Sequence, residues 1–299
     1  MRIVVTGVTG QVGKALMIPL AQLGTVVPAD RSVLNLAAPT TLAGALDRLA
    51  PDLIVNPAAY TAVDRAEDER DLAFTVNGEA PGVLAEWAAR RDVPLVHFST
   101  DYVFNGQGEA PWREDSPTAP LSVYGASKLA GEDAIRAFGG AHLIVRTSWV
   151  YAAQGANFLR TIVRLARERT ELKVVADQLG APTSARIIAG AVTAVLAAES
   201  GNLRECFGRS GGVVNIAASG ETSWQGFATA IVEGLKSRGV ALAVQSILPL
   251  RTEDYPTKAK RPHNSRFDLT RLQDVFGLTT LSWREALEPE LDLLAPEMR

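Results

Sequence analysis

Short apolar runs rich in β-branched residues alternate along the first half of the chain with longer segments of helical periodicity. In the longer segments apolar side chains recur every three or four positions, which is typical of helices that bury one face. This alternation predicts an α/β protein with a doubly wound parallel sheet. The predicted strands are residues 2–6, 25–29, 53–56, 94–99 and 142–146.

A glycine-rich turn connects the first predicted strand to the first predicted helix. Gly7 and Gly10 permit a tight turn and the close approach of a pyrophosphate. The pyrophosphate would bind to the free N–H groups at the start of the helix, where Gln11 and Val12 lie. Gly13 allows the helix to pack closely on the strand. The order of strand, glycine turn and helix therefore predicts binding of a dinucleotide cofactor.

Two further segments complete the predicted cofactor site. Asp30 follows the second strand and can accept a hydrogen bond from the adenosine ribose 2′-OH, which favours NADH. Arg31 beside it can instead hold a 2′-phosphate, which favours NADPH, so both cofactors stay open. After the third strand come Ala58, Ala59 and Tyr60, where the small side chains leave room for a ribose or a flat ring.

Beyond about residue 150 the alternation is less regular. We therefore expect a cofactor-binding domain over residues 1–150. Residues 151–299 are predicted to form a smaller α/β domain that mostly binds substrate, with some segments returning to the first sheet. Crossovers between parallel strands are right-handed, so the loops that follow the strands should lie at one edge, where ligands of such sheets bind.

Tyr124 and Lys128 are four positions apart at the start of a predicted helix, so their side chains project from one face. A lysine ammonium there would lower the pKa of the tyrosine and let it deliver a proton to a carbonyl oxygen. Taken alone, such a pair is more often an unrelated surface tyrosine and lysine. Thr100 and Asp101 follow the fourth strand, at the ligand-binding edge. His97, inside that strand, is interpreted as a core histidine and not as a base.

Composition and charge narrow the function classes. The chain has 299 residues, a net charge of −3 and 47% hydrophobic residues. It can bury a large core and lacks the basic excess that would favour nucleic acid or an anionic membrane as partner. Cys206 is the single cysteine, which suits a reducing cytoplasm. A strand begins directly after Met1, which leaves no room for a signal sequence, and no residues have metal-ligand spacing.

The TGxxGxxG sequence at Thr6–Gly13, Thr100 and the YxxxK sequence at Tyr124–Lys128, in that order, resemble the extended short-chain dehydrogenase/reductase family. The resemblance implies a Rossmann-like fold. Within this family the chain is similar, nearly end to end, to the dTDP-4-dehydrorhamnose reductases. The stretches that carry the similarity are 7–13, 59–67, 99–104, 124–132, 146–151, 177–183 and 261–266.

The resemblance implies hydride transfer from NADPH or NADH to the C4 ketone of dTDP-6-deoxy-L-lyxo-4-hexulose, which gives dTDP-L-rhamnose. It implies that Tyr124 donates a proton to the C4 oxygen and that Thr100 shares the hydrogen bond to this oxygen. It further implies that Lys128 acidifies Tyr124 and binds the nicotinamide ribose. Besides Thr100 and Tyr124, the implied substrate-binding residues are Val63, Asp101, Trp149, Asn264 and Arg266.

Some relatives pair through magnesium held by glutamates, one of them on the first helix, whereas this helix carries Lys14 and Ala15. We therefore expect no bound metal, and a monomer or weak homodimer in place of a metal-bridged dimer. A 4,6-dehydratase is disfavoured because Tyr102 stands where its acid/base pair would need a glutamate. Two alternatives stay open: a reductase of another dTDP-4-keto-6-deoxy sugar, and a non-catalytic regulator similar to the regulatory subunit of methionine adenosyltransferase.

Overall fold

The computed structural model describes residues 1–198 and 201–298, and the strands in this part of the chain form one large sheet and three two-stranded sheets. In chain order the strands are β1 (Arg2–Thr6), β2 (Thr25–Ala29), β3 (Leu53–Asn56), β4 (Leu95–Thr100), β5 (His142–Thr147), β6 (Val150–Tyr151), β7 (Glu171–Val175), β8 (Leu179–Gly180), β9 (Thr183–Ser184), β10 (Gly212–Asn215), β11 (Thr222–Ser223) and β12 (Ser246–Leu250).

The helices between these strands cover both faces of the large sheet and build the second half of the molecule. They are α1 (Gln11–Leu20), α2 (Leu42–Leu49), α3 (Val63–Ala66), α4 (Arg70–Phe74), α5 (Ala80–Arg91), α6 (Val123–Phe138), α7 (Phe158–Glu168), α8 (Ala185–Ala198), α9 (Leu203–Ser210), α10 (Trp224–Ser237), α11 (Thr270–Phe276) and α12 (Trp283–Leu294). A π-helical turn, Thr75–Glu79, joins α4 to α5.

The large sheet has the order β10-β5-β4-β3-β1-β2, and all its pairings are parallel. The chain passes from β1 outward to β2 and then back across β1 to β3, so the strand order reverses between β1 and β3. In sheets of this kind the ligand crevice lies outside the carboxyl ends of the strands at such a reversal. The predicted doubly wound parallel α/β fold is confirmed.

The central strands β1, β3, β4 and β5 are buried on both faces, which is why they read as nearly continuous apolar runs. Along β1, Ile3 and Val5 pack into one core and Val4 into another. Helices α1, α8 and α9 contribute to the first of these cores, and α2 and α5 contribute to the second. Because α8, α9 and α11 pack here and β10 is an edge strand of the same sheet, these elements from beyond residue 150 belong structurally with the first half of the chain.

A third core lies beyond residue 150 and packs α7, α10 and α12 against one another. The strands of this region pair in twos: β7 with β12 and β6 with β9 in parallel, and β8 with β11 antiparallel. The apolar segment 187–198 lies within α8. Among the described residues, no helix combines the length and the hydropathy needed to cross a bilayer.

Helix α6 carries Tyr124 and Lys128 and has a defined signal at each end. At its start the Ser122 side chain accepts a hydrogen bond from the N–H of Gly125, a capping interaction that satisfies one of the free N–H groups of the first turn. At its end Gly139 adopts a left-handed φ of 67°, a conformation that glycine adopts without strain. The bounds of the helix are therefore set by its own sequence.

Helix α6 packs very closely on the π-helical turn at Gly131. Because this packing leaves no room for a side chain, we predict that Gly131→Ala destabilises the protein. A Cβ built on Gly131 would lie 2.1 Å from the carbonyl oxygen of Asn77, so the backbones must separate, at a cost of about 1–3 kcal/mol. Gly44 of α2 is the matched control, because a Cβ there meets only the Arg48 guanidinium at 3.8 Å.

Urea unfolding measures both variants. Gly44→Ala should stabilise the protein by roughly 0.5–1 kcal/mol, since alanine loses less backbone entropy in a helix than glycine. A Gly131→Ala variant as stable as Gly44→Ala would show that the close packing of α6 does not constrain the fold.

Candidate active site

A cleft of about 1450 Å³ lies at the carboxyl edge of the large sheet and is lined by residues from both halves of the chain. It contains all the predicted cofactor-binding and catalytic residues and most of the predicted substrate-binding residues. These are Gly7, Gly10, Gln11, Val12, Asp30, Arg31, Ala58, Ala59, Tyr60, Val63, Thr100, Asp101, Tyr124, Lys128 and Trp149.

Asn264 and Arg266, which the resemblance implies as substrate ligands, do not line this cleft. The Asn264 side chain is buried and donates to the carbonyl oxygens of Gly108 and Ala110. The Arg266 guanidinium donates to Glu221 and to a backbone carbonyl. The structure therefore places both residues in contacts that hold the loop after β4, and not among the residues that face the cleft.

The glycine turn has the geometry that a pyrophosphate needs. Gly7 has a φ of 57°, and a Cβ on it would lie 2.9 Å from the backbone of Ala58. A Cβ on Gly13 would lie 2.1 Å from the carbonyl oxygen of Gly7. No side chain caps α1 at Gly10, so the first N–H groups of the helix are available to an anion. These observations fit a dinucleotide at this position.

Asp30 and Arg31 lie at the end of β2 and are both exposed. The Asp30 carboxylate accepts hydrogen bonds from the backbone N–H and the hydroxyl of Ser32, at 2.8 and 2.5 Å, and both go to the same oxygen. These bonds lower the pKa of Asp30. Asp30 and Arg31 both line the cleft, so both modes of ribose recognition stay open.

Tyr60 lines the cleft and is held there by polar contacts. Its hydroxyl donates to Glu69 at 2.6 Å, and its backbone N–H donates to the buried Asn77 at 2.8 Å. The bond to Glu69 raises the pKa of Tyr60. These two hydrogen bonds fix the position of Tyr60 and so the conformation of the loop after β3.

Thr100 and Tyr124 meet because β4 ends where α6 begins. Thr100 is the last residue of β4, and its hydroxyl donates to the Asp101 carboxylate at 3.0 Å. Burial raises the pKa of Tyr124 to about 12, although the nearby Thr100 hydroxyl lowers it. The ring of Tyr102 packs edge-on against the Tyr124 ring, with 5.4 Å between centroids. Tyr124 is therefore fully protonated at neutral pH in this structure.

Lys128 is buried and points back toward β4. Its ammonium donates to the carbonyl oxygen of Phe98 at 2.6 Å, and Nζ lies 3.3 Å from Nε2 of His97. Burial lowers the pKa of Lys128 to about 8, although the Glu132 carboxylate raises it. Lys128 is not among the groups that shift the pKa of Tyr124. The spacing of Tyr124 and Lys128 predicted that Lys128 lowers the pKa of Tyr124, and this prediction is wrong. The pKa of Tyr124 is raised, because burial outweighs its polar contacts.

Trp149 packs against a second tryptophan, Trp224, and the sequence did not indicate this contact. The rings of Trp149 and Trp224 are stacked with centroids 3.6 Å apart and planes at 12°. Trp149 has a left-handed φ of 49°, which is uncommon for a bulky residue, and Gly180 packs against its ring. Trp224 begins α10, far away in sequence, and no local signal identifies it as a cleft residue.

Fold and site together define the class of protein: an NAD(P)-dependent oxidoreductase of the extended short-chain dehydrogenase/reductase type. The chain belongs to the family described as the RmlD substrate binding domain, whose model matches residues 1–295. It is 48% identical to the dTDP-4-dehydrorhamnose reductase of Burkholderia thailandensis, over 96% of this chain and 97% of that protein. It is 40% identical to the enzyme of the same name from Escherichia coli, over 98% of each chain.

Solved structures agree with these sequence comparisons. A dTDP-4-dehydrorhamnose reductase from Clostridium acetobutylicum superimposes with a TM-score of 0.89 at 34% identity and covers 98% of this chain and 99% of its own. The enzyme of the same name from Bacillus anthracis, solved in complex with NADP, gives a TM-score of 0.85 at 33% identity, with the same coverage. The family resemblance stated from the sequence is therefore confirmed.

Asp101 provides a test of the electrostatics of the cleft. Burial raises its pKa to about 6, although hydrogen bonds with Ser265 and Thr100 lower it. A carboxyl whose pKa is higher in the folded state contributes stability at low pH that is lost as pH rises through about 6. We predict that Asp101→Asn stabilises the protein at pH 7 by roughly 2 kcal/mol, because asparagine carries no charge to bury.

Urea unfolding at pH 7 and at pH 4 measures this effect, and the gain should be largely absent at the lower pH. Asp274→Asn, which changes an exposed carboxylate on α11, is the control and should change stability little at either pH. A destabilised Asp101→Asn variant at pH 7 would contradict the prediction.

Proposed function

We propose that this chain reduces the C4 ketone of dTDP-6-deoxy-L-lyxo-4-hexulose to dTDP-L-rhamnose with NADPH or NADH, the last step of dTDP-rhamnose biosynthesis. The observation that carries the proposal is the meeting of Thr100, Tyr124 and Lys128 in one cleft with a glycine turn. The choice of substrate is supported by full-length relatives named dTDP-4-dehydrorhamnose reductase at 40% and 48% identity.

The glycine turn and the start of α1 would hold the cofactor pyrophosphate, through backbone N–H groups that include those of Gln11 and Val12. Asp30 and Arg31 would bind the adenosine ribose or its phosphate, and residues 58–60 would adjoin the rest of the cofactor. When bound, the reduced nicotinamide supplies the hydride. The remaining tasks of orientation, proton supply and exclusion of water then belong to the protein.

Tyr124 is the proposed proton donor to the C4 oxygen. Its raised pKa means that it carries its proton at neutral pH, and the developing alkoxide is a stronger base than the phenolate, so transfer is favourable. Thr100, which lines the cleft together with Tyr124, is proposed as a second donor to the same oxygen. Two donors directed at one developing negative charge stabilise the transition state more than the ground state.

Lys128 is proposed to bind the nicotinamide ribose through its ammonium. Val63, Asp101 and Trp149 line the cleft and are proposed to contact the sugar nucleotide. We add Trp224, which is stacked on Trp149. In this proposal residues 1–150 mostly bind the cofactor and the later residues mostly bind the substrate.

We further infer a cytoplasmic monomer or weak homodimer with no metal bridge, and no nucleic acid or membrane partner. The inference is supported by the mild negative charge of the chain and by Lys14 and Ala15 on α1, which offer no carboxylate to a metal.

One test of the proposed function concerns the proton donor. Tyr124→Phe should lower kcat by roughly 10²–10⁴-fold, because it removes a general acid, while NADPH still binds. The assay is the loss of reduced-nicotinamide absorbance with dTDP-6-deoxy-L-lyxo-4-hexulose, with cofactor binding measured by fluorescence. Tyr151→Phe is the matched control, since Tyr151 is buried in the third core and its hydroxyl has no hydrogen-bond partner among the described residues.

Near-normal turnover in Tyr124→Phe would exclude the role given to Tyr124. Tight cofactor binding without substrate-dependent oxidation in the unmodified protein would favour another keto sugar or the regulator.

Another test of the proposed function concerns the choice of cofactor. Arg31→Ala should lower kcat/KM for NADPH by about 10–100-fold, the loss expected for one charge-assisted hydrogen bond to the 2′-phosphate. The same change should leave kcat/KM for NADH nearly unaltered, and Asp30→Ala should show the reverse pattern. Equal effects of Arg31→Ala on both cofactors would mean that Arg31 does not contact the 2′-phosphate.

A further inference from the structure

A series of buried polar side chains runs from Lys128 into the sheet, and the proposed reaction does not use it. Nζ of Lys128 lies 3.3 Å from Nε2 of His97 on β4, and Nδ1 of His97 lies 3.0 Å from the side-chain nitrogen of Asn56 on β3. The Asn56 oxygen then meets the hydroxyl of Thr6 on β1 at 2.5 Å. All four residues are at least 98% buried. His97 lies in the core, as predicted, but has a polar partner at each ring nitrogen.

The distances decide which atoms donate. A separation of 2.5 Å between Thr6 and Asn56 suits an O–H···O bond and is short for N–H···O. The Thr6 hydroxyl therefore donates to the amide oxygen of Asn56, while it accepts from a backbone N–H at 3.2 Å. The amide NH₂ of Asn56 must then face His97. An NH₂ group only donates, so Nδ1 of His97 accepts and its proton resides on Nε2.

This tautomer has a consequence for Lys128. The Nε2–H group of His97 points at Nζ of Lys128, and an ammonium has no lone pair that could accept this hydrogen bond. Protonated Lys128 would oppose one N–H to another, whereas neutral Lys128 can accept from His97 and still donate to the Phe98 carbonyl at 2.6 Å. Burial, and then the charge of Lys128, lower the pKa of His97 well below its usual value, so the imidazole stays neutral.

We propose that His97 is a positioning residue that sets the protonation equilibrium of Lys128. With its proton held on Nε2 by Asn56 and Thr6, His97 destabilises the ammonium of Lys128, so that Lys128 gains and loses its proton within the working pH range. The effect on turnover rests on the proposed function, in which Lys128 acts as an ammonium. The tautomer of His97 does not depend on that function.

The other charged and titratable groups near Lys128 lie on α6, on β5 and in the segment that follows β4. Glu132, one turn along α6, favours the ammonium, and its carboxylate is shared with Arg146 of β5 and Ser99 of β4. Tyr124 precedes Lys128 on α6, and Asp101 follows β4. His97 is the group that opposes the ammonium through a directed N–H. Its tautomer can be reversed by a substitution at Asn56, which does not contact Lys128.

The direct test is ¹⁵N NMR of histidine-labelled protein without substrate. The chain has three histidines, and the His97 signals are assigned by their loss in His97→Gln. The expected spectrum shows Nδ1 of His97 without a proton and Nε2 with one, unchanged between about pH 6 and 9. A proton on Nδ1, or a charged imidazole at pH 7, would overturn the proposal. This outcome is independent of catalysis, so it is distinguishable from a failure of the proposed function.

The second test reverses the tautomer. In Asn56→Asp the carboxylate must accept from Nδ1–H, so Nε2 of His97 presents a lone pair and the Lys128 ammonium is favoured. Turnover that requires the ammonium falls as pH rises through the pKa of Lys128, about 8 in the native protein. The variant should move this fall upward by about one to two pH units.

Two controls accompany the second test. His142→Gln alters a half-buried histidine at the start of β5 that contacts the Gly140 carbonyl and should leave the profile unchanged. Asn56→Asp in a His97→Gln background measures the direct effect of the new charge, and the shift there should be smaller. A reversed tautomer with an unmoved pH profile would show that His97 does not control Lys128.

Discussion

The position of the catalytic helix depends on one buried ion pair, between Glu132 of α6 and Arg146 of β5. Arg146 donates to both carboxylate oxygens, at 2.9 and 2.6 Å, and Ser99 of β4 donates to one of them at 2.5 Å. Burial alone would raise the pKa of Glu132, but these bonds lower it, so the pair is ionised. Loss of Glu132 would leave the buried Arg146 guanidinium without its carboxylate partner, at a cost of about 3–5 kcal/mol.

The same arginine extends this constraint to the loop that follows β4. It donates to the carbonyl oxygen of Glu114 at 3.0 Å, and its guanidinium lies over the ring of Phe104, 5.0 Å from the centroid. Phe104 is stacked on Trp112 at 4.6 Å, and the indole of Trp112 donates to the backbone of Asn264 at 2.9 Å. One network therefore fixes the helix, the strand ends and the segment that the sequence had suggested as a substrate contact.

Much of the fold and part of the site follow from rules that act over short distances. The β-branched runs became β1 to β5, the glycine turn precedes α1, and Ser122 and Gly139 bound α6 as local capping rules require. The cleft collects Thr100 and the residues after β1 and β3 because parallel strands bring their carboxyl ends to one edge. These features could be predicted without tertiary contacts, because each depends on a few neighbouring residues or on the handedness of crossovers.

Contacts between distant segments could not be predicted in this way. The stacking of Trp224 on Trp149 and the approach of His97 to Lys128 each join elements that only the packed molecule brings together. The sequence by itself determined the order of the elements, the glycine turn and the chemical groups available for catalysis. Only the tertiary structure decided how acidic Tyr124 and Lys128 are, because burial and the orientation of polar partners outweigh their spacing along the helix.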